Sequence, residues 1–373
     1  MKEPKIESDQ STNHGSVSRR DFLMGALVST GAFAAGDIWQ ASAASSTTSL
    51  LQSVADIKSR GVPPGEIRLN NNENPMGVSL RVIDTVLQIL FSVNRFDSSS
   101  ELNKVISRFH GVSPGGRGRS DQRVIIAPGS DAIHQIVARL ALNGGTGEVI
   151  EATPAYGRVS AAYEAIRMAD GHLNSGVKRI PIGPDHTHDL AAMLAAITSE
   201  TSCIVITNPN NPTGTIVPHE ELGAFLDAVP DHVTVMIDEA YMDFVQVPGY
   251  KDAIQLAHGR ENIIVTRTFS KVYGLAAVRI GYAVTSVAMA DRLSAVNDFG
   301  ETVSLLSKAA ALAAIEDTEF VRRTIESVST EKAYLIGQLE AMGIGYIPSH
   351  TNFLMIDLKR DSGPVRRQLE QKK

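Results

Sequence analysis

Six short apolar runs recur along the middle of the chain: Val124–Ala127, Glu148–Glu151, Cys203–Thr207, Val233–Ile237, Ile263–Thr266 and Arg279–Val284. Between several of them lie helical patterns, at about 130–142, 157–169, 189–198 and 219–228. Short apolar strands that alternate with helices predict an α/β fold, with a largely parallel central sheet covered by helices on both faces. In such sheets ligands bind outside the carboxyl ends of the strands. The loops that follow those ends are therefore where chemistry should collect.

Four of these loops carry complementary groups. Gly129-Ser130-Asp131 follows the run ending at Ala127 and opens a helix, so backbone donors, a hydroxyl and the helix dipole converge on one spot suited to phosphate. Pro154-Ala155-Tyr156 can lay the Tyr156 ring over a flat heterocycle. Asn208-Pro209-Asn210-Asn211-Pro212-Thr213-Gly214 is a rigid turn that presents amides, and Asp238-Glu239-Ala240-Tyr241 puts a carboxylate where a strand ends. Lys271 joins them from Arg267-Thr268-Phe269-Ser270-Lys271, flanked by two hydroxyl residues and the fixed cation Arg279. Only a neutral amine attacks a carbonyl, so a lysine that bonds an aldehyde must be held rigid, partly desolvated and close to other cationic or polar groups. Each loop alone reads equally well as a cap, a core aromatic or a turn, and Lys271 as a surface lysine. Together they supply an amine for an aldehyde, an anion for a ring nitrogen, a ring to stack and a phosphate cup, which is what pyridoxal phosphate requires.

Other classes fit less well. A net charge of −6 over 373 residues, with no basic stripe carrying interleaved aromatics, argues against nucleic acid. The Gly-rich stretch 111–119 is not followed by Gly-Lys-Ser/Thr, so it reads as a connection and not a nucleotide loop. His186-Thr187-His188 and His219-Glu220-Glu221 complete no ligand set at metal spacing, so no metal is expected. The single cysteine, Cys203, heads an apolar run and reads as a small core residue. At the N-terminus, Ser18-Arg19-Arg20-Asp21-Phe22-Leu23-Met24 precedes an apolar run from Gly25 to Ala35 and then Ala41-Ser42-Ala43. Paired arginines, a weakly apolar run and a small-residue cleavage site predict a twin-arginine export signal over residues 1–43. The expected organisation continues with an arm and cofactor-proximal loop at 44–98, a large domain at 99–299 and the start of a smaller domain at 300–373.

The chain resembles the fold-type I pyridoxal-phosphate aminotransferases, most closely the histidinol-phosphate aminotransferase family. The resemblance runs from about Leu69 to Asn352 on four motifs in the family's order: Asn-Glu-Asn-Pro, Asn-Pro-Asn-Asn-Pro-Thr-Gly, Asp-Glu-Ala-Tyr and Thr-Phe-Ser-Lys. It implies that Lys271 forms the Schiff base with the cofactor and then moves the substrate's proton. Asp238 would hold the pyridine nitrogen protonated, Asn211 and Tyr241 would hydrogen-bond the ring oxygen, and Tyr156 would stack on the ring. Gly129, Ser130, Asp131, Thr268 and Arg279 match the phosphate cup, while Asn74 and Asn352 match substrate-side positions. The implied reaction moves an amino group between an amino acid, or a phosphorylated amino alcohol such as histidinol phosphate, and a 2-oxo acid, in a homodimer whose sites are shared.

Two departures stand out. The family's Asn-Pro-Tyr-Gly is here Asn74-Pro75-Met76-Gly77. Losing a hydrogen bond to a charged group costs about 1.5–3 kcal/mol, so weaker cofactor binding is expected. The family's substrate-anion arginines lie in a stretch beyond the last residue here, so a fragment is expected in preference to altered substrate binding. A decarboxylase or other lyase of the same fold, and a non-catalytic cofactor binder, remain the alternatives.

Overall fold

The computed structural model describes residues 68–372, apart from 113–121, 143–146, 173–174 and 298–302. The predicted export signal, the arm up to residue 67 and most of the Gly-rich connection lie outside the described residues. From Arg68 onward the chain forms one compact unit.

Its centre is a seven-stranded sheet: β1 (Gln122–Ala127), β2 (Glu148–Thr153), β3 (Val177–Pro181), β4 (Thr201–Thr207), β5 (Thr234–Asp238), β6 (Ile263–Thr268) and β7 (Gly281–Ser286). The strand order is β1-β7-β6-β5-β4-β2-β3. β2 through β6 pair in parallel, and β7 runs antiparallel to both of its neighbours, β1 and β6. The continuous apolar runs follow from burial on both faces. Ile204 and Ile206 of β4, Val235 and Ile237 of β5, and Ile263 and Val265 of β6 enter one core, while Cys203, Val205, Met236 and Ile264 enter the other. Side chains alternate faces along a strand, and burying each large aliphatic group stabilises the fold by about 1.5–3 kcal/mol. Cys203 is 1% exposed, and burial pushes its thiol up to about 12, so it packs as a hydrophobe.

Differences from the sequence reading have local causes. β3, not anticipated, carries Lys178, Arg179 and a terminal Pro181, which are tolerated because β3 is an edge strand. The run expected to start at Arg279 begins two residues later, because Arg279 adopts a left-handed φ of 55° that no strand accepts. A second sheet of two strands pairs β8 (Gly345–Ile347) antiparallel with β9 (Met355–Asp357). Among the described residues three helices were also unanticipated, Leu80–Ile89, Ala253–Leu256 and Val287–Ala295, capped by the side chains of Ser79, Asp252 and Ser286, each accepting from an amide of the first turn.

Beneath the carboxyl edge a buried arginine ties strand ends together. Arg267 Nε donates to Glu239 Oε2 at 2.8 Å and Nη2 to Asp252 Oδ2 at 2.9 Å. Glu239 and Arg267 are sequence neighbours of Asp238 and Thr268, so this pair fixes the ends of β5 and β6 from which those residues project.

Candidate active site

Strand register gathers the loops. Asp238, the last residue of β5, lies opposite Thr207 of β4 and Thr266 of β6, while Ala127 and Thr268 both lie opposite Gly281. At this edge opens a cavity of about 790 Å³. Of the residues expected from sequence, Ser130, Asp131, Tyr156, Asn211, Asp238, Tyr241, Thr268, Lys271 and Arg279 line it.

Lys271 Nζ donates to the Asn71 carbonyl at 3.0 Å and stands 5.4 Å from the centre of the Tyr241 ring. Burial lowers the pKa of this amine and Arg279 lowers it further, against the pull of Glu73, Asp238 and Asp131. Desolvation disfavours the ammonium form, so the neutral amine is more available than on a free lysine. Asp238 is 3% exposed. Its Oδ1 accepts from Thr266 Oγ1 at 3.1 Å and from the Ala240 amide at 3.2 Å, and its Oδ2 lies 3.3 Å from His134 Nε2.

Across the cavity, Gly129 is left-handed with φ 84°, and a Cβ placed on it would fall 2.3 Å from Arg279 Nη2. Arg279 is steered by its own αL backbone, by donation from Nη1 to the Ala276 carbonyl at 3.0 Å and by Nη2 against Asp131 Oδ2 at 3.3 Å. The Asp131 side chain also accepts from the Tyr156 hydroxyl at 3.2 Å, so its carboxylate positions these two groups, and only its backbone amide is suited to an anion. Thr268 Oγ1 donates to Ser270 Oγ at 2.9 Å and accepts from the Ser270 amide at 3.1 Å, which sets both hydroxyls on the cavity wall.

Tyr241 receives two amides, Asn72 Nδ2 at 3.1 Å and Asn211 Nδ2 at 3.5 Å. Burial pushes its phenol up to about 12, so it keeps its proton and can donate it to an oxyanion. Of the other asparagines in that turn, Asn210 donates to the Pro154 carbonyl at 3.1 Å and to Thr213 Oγ1 at 2.9 Å, and Asn208 accepts from the Val217 amide at 2.9 Å. They hold the loops so that Asn211 alone faces inward.

Asn74 and Asn352 are not among the cavity-lining residues. Asn74 Nδ2 donates to the Val272 carbonyl at 2.8 Å and Thr324 Oγ1 at 3.3 Å, and Asn352 Nδ2 to the Asn72 carbonyl at 3.0 Å. Both fasten the loop carrying Asn71 and Asn72. Met76 is also off the cavity, its sulfur accepting from Thr324 Oγ1 at 3.7 Å. His188, weighed above as half of a metal pair, is buried and donates through Nε2 to the Thr207 carbonyl at 2.8 Å.

Asn71, Asn72 and Arg158, which line the cavity, and His134 were not expected from sequence, while Ser270 was expected only as a hydroxyl flanking Lys271. His134 is 2% exposed and spans two carboxylates, with Nδ1 3.9 Å from Asp131 and Nε2 3.3 Å from Asp238. A detectable signal was its spacing of three from Asp131, which puts both on one helix face.

The family profile described as aminotransferase class I and II matches residues 64–372. The chain belongs to that family. It is 35% identical over 306 residues to histidinol-phosphate aminotransferase 2 of Methylococcus capsulatus, covering 80% of this chain and 78% of that one. It is also 35% identical to the histidinol-phosphate aminotransferase of Moorella thermoacetica, covering 82% of this chain and 76% of that one. Solved structures share its fold. The histidinol-phosphate aminotransferase of Sinorhizobium meliloti, solved with pyridoxal-5'-phosphate, superposes with a TM-score of 0.68 at 24% identity, covering 79% and 76% of the two chains. An aspartate aminotransferase of Thermotoga maritima gives 0.69 at 19%, covering 87% and 86%. The protein is thus a pyridoxal-phosphate-dependent aminotransferase.

The residues fit that group. The aminotransferase presents an amine of lowered pKa, a buried carboxylate, and a glycine turn packed so closely on an arginine that no side chain could stand between them. When bound, pyridoxal phosphate acts as an electron sink for the bond broken at the substrate carbon. The Gly129 turn gives a direct check. In Gly129→Ala the added methyl must displace Arg279, and losing one hydrogen bond to a charged group costs about 1.5–3 kcal/mol. Cofactor affinity, read by titrating the apoenzyme, should fall about 10- to 100-fold, and an unchanged affinity would remove Gly129 and Arg279 from the phosphate cup.

Proposed function

We propose that this aminotransferase exchanges an amino group between a phosphorylated amino alcohol of the histidinol phosphate kind, or an amino acid, and a 2-oxo acid. The observation that carries the reading is the shared cavity of Lys271 and Asp238, an amine kept available as a base facing a buried carboxylate. Lys271 anchors the cofactor and moves the proton at the substrate's α carbon. Asp238 would keep the ring nitrogen protonated, Asn211 and Tyr241 would hydrogen-bond the ring oxygen, Tyr156 would cover the ring, and the Gly129–Ser130 amides with Thr268 and Arg279 would hold the phosphate. The names of relatives at 35% identity support the phosphorylated donor.

Histidinol phosphate, glutamate, aspartate and alanine can be compared as donors by the absorbance change of the bound cofactor to its amine form, with oxo product and carbon dioxide assayed together. Stoichiometric oxo product without carbon dioxide is expected. Carbon dioxide release would point to a lyase, and no spectral change with any donor to an inert binder.

Two further parts of the reading concern assembly and location. A homodimer is supported by large apolar side chains that the other described residues leave exposed: Leu80 and Leu87, seven residues apart on the helix Leu80–Ile89, are 82% and 56% exposed, and Val93 and Phe96 54% and 108%. Burying such side chains favours a protein contact, and sedimentation velocity should give a two-chain particle, a single-chain particle refuting it. Export is supported by Arg19-Arg20 ahead of the apolar run. Changing both arginines to lysine should retain the protein inside the cell, and unimpaired export of that variant would exclude the twin-arginine route.

A further inference from the structure

Arg158 has no role in the reading above. It opens the helix Arg158–Ala169 and lines the same cavity as Lys271, with its side chain 60% exposed. We propose that Arg158 receives a negatively charged group, phosphate or carboxylate, on the amino donor, and so makes this aminotransferase selective for anionic donors. The inference rests on the transaminase reading.

The charges on the cavity wall lead to it. The lining residues include three cations, Lys271, Arg279 and Arg158, and two anions, Asp238 and Asp131. Lys271, Asp238 and Arg279 are assigned to the cofactor. Asp131 is engaged by Arg279 Nη2 at 3.3 Å and by the Tyr156 hydroxyl at 3.2 Å, and it lies 3.8 Å from Arg158 Nε, beyond the length of an N–H···O bond. Among the described residues Asp131 is the only carboxylate within ion-pair distance of Arg158. One carboxylate thus faces two guanidiniums, and the surplus positive charge lies on Arg158. Its guanidinium carbon is 5.5 Å from the centre of the Tyr156 ring, close enough for the ring to attract the cation, and it also donates a hydrogen bond to the Tyr156 hydroxyl, so Tyr156 holds the fork beside the cavity. A planar fork of N–H donors matches a phosphate or carboxylate edge in a way an ammonium does not. Partial exposure means that an incoming anion need not break a buried ion pair.

The test uses the holoenzyme with Arg158→Gln and Arg158→Lys. Histidinol phosphate, glutamate and alanine, which carries no anionic group beyond its α-carboxylate, serve as donors in the half-reaction, and unreactive glycerol phosphate serves as a calorimetric probe. In Arg158→Gln, the ratio of kcat/KM for an anionic donor to that for alanine should fall roughly 10- to 100-fold, mainly through KM. Cofactor affinity should be unchanged, glycerol phosphate binding should weaken by the same factor, and Arg158→Lys should fall between. If only the glutamate ratio falls, the group received is a carboxylate; if only the histidinol phosphate ratio falls, a phosphate. An unchanged ratio, or an equal loss for alanine, overturns the role of Arg158. If the wild type converts no donor, the transaminase reading fails on its own, and the glycerol phosphate arm still decides whether Arg158 binds anions.

Discussion

Lys271→Ala should lose at least about 10⁴-fold in kcat, because a positioned acid–base group alone contributes about 10²–10⁴ and this lysine also provides the covalent anchor. The fold should survive. Among described contacts the amine makes one hydrogen bond, to the Asn71 carbonyl on a loop also held by Asn74 and Asn352. Lys271→Arg should be as inactive, because a guanidinium is never neutral near physiological pH and cannot take a proton. The direction of the amine's shift sets the pH behaviour. With its pKa lowered by burial and then by Arg279, the neutral form persists to lower pH than on a free lysine. Arg279→Gln removes one of those causes, so the acid limb of the activity profile should move toward higher pH. Borohydride treatment of the holoenzyme followed by peptide mapping gives the readout independent of turnover. The label should appear at position 271 in the wild type and nowhere in the alanine variant. A label elsewhere, or an alanine variant retaining a hundredth of wild-type kcat, would falsify the assignment.

What the chain order disclosed and what it hid divide along a physical line. Strands β4, β5 and β6 were legible because both of their faces are buried, so their sequences are apolar without alternation, and the helix Ser130–Leu142 was legible because a glycine and a serine mark its start. The edge strand β3 was hidden because only one neighbour constrains it, and its charges read as a loop. At the site, the residues found were those whose chemistry is named by a strand end: Asp238, Lys271 and the Gly129 turn. Asn72 and His134 escaped because their function depends on contacts 169 and 104 residues away, Asn72 with Tyr241 and His134 with Asp238, which no local pattern encodes. Arg279 was found as a charge but placed in a strand, since a left-handed φ at an arginine has no sequence signature. Asn74 and Asn352 show the converse, motif residues whose side chains hold a loop in place while its neighbours line the cavity.

Asp238→Asn should cost about a thousandfold in kcat with the variant saturated in cofactor. Two opposite charges about 4 Å apart at an effective dielectric near 20 attract by roughly 4 kcal/mol, and that energy, if expressed fully in the transition state, corresponds to about three orders of magnitude in rate. Asparagine keeps the shape and removes the charge. Its carbonyl can still accept from Thr266 Oγ1 and the Ala240 amide, the two bonds now made by Oδ1, so the β5 end should hold its position. The variants separate at Oδ1, the acceptor that asparagine keeps and alanine removes, since both lose the oxygen beside His134 Nε2. Asp238→Ala leaves the buried Thr266 hydroxyl without its acceptor, and an unsatisfied buried polar group costs about 1–3 kcal/mol. The alanine variant should therefore match the asparagine variant in rate and melt below it, whereas the asparagine variant should unfold close to the wild type. Rate and stability are then read from one pair of proteins. If Asp238→Asn keeps kcat within tenfold while its melting temperature drops, the carboxylate serves the sheet edge and not the chemistry, because removing the charge would have left the reaction intact and disturbed only the packing.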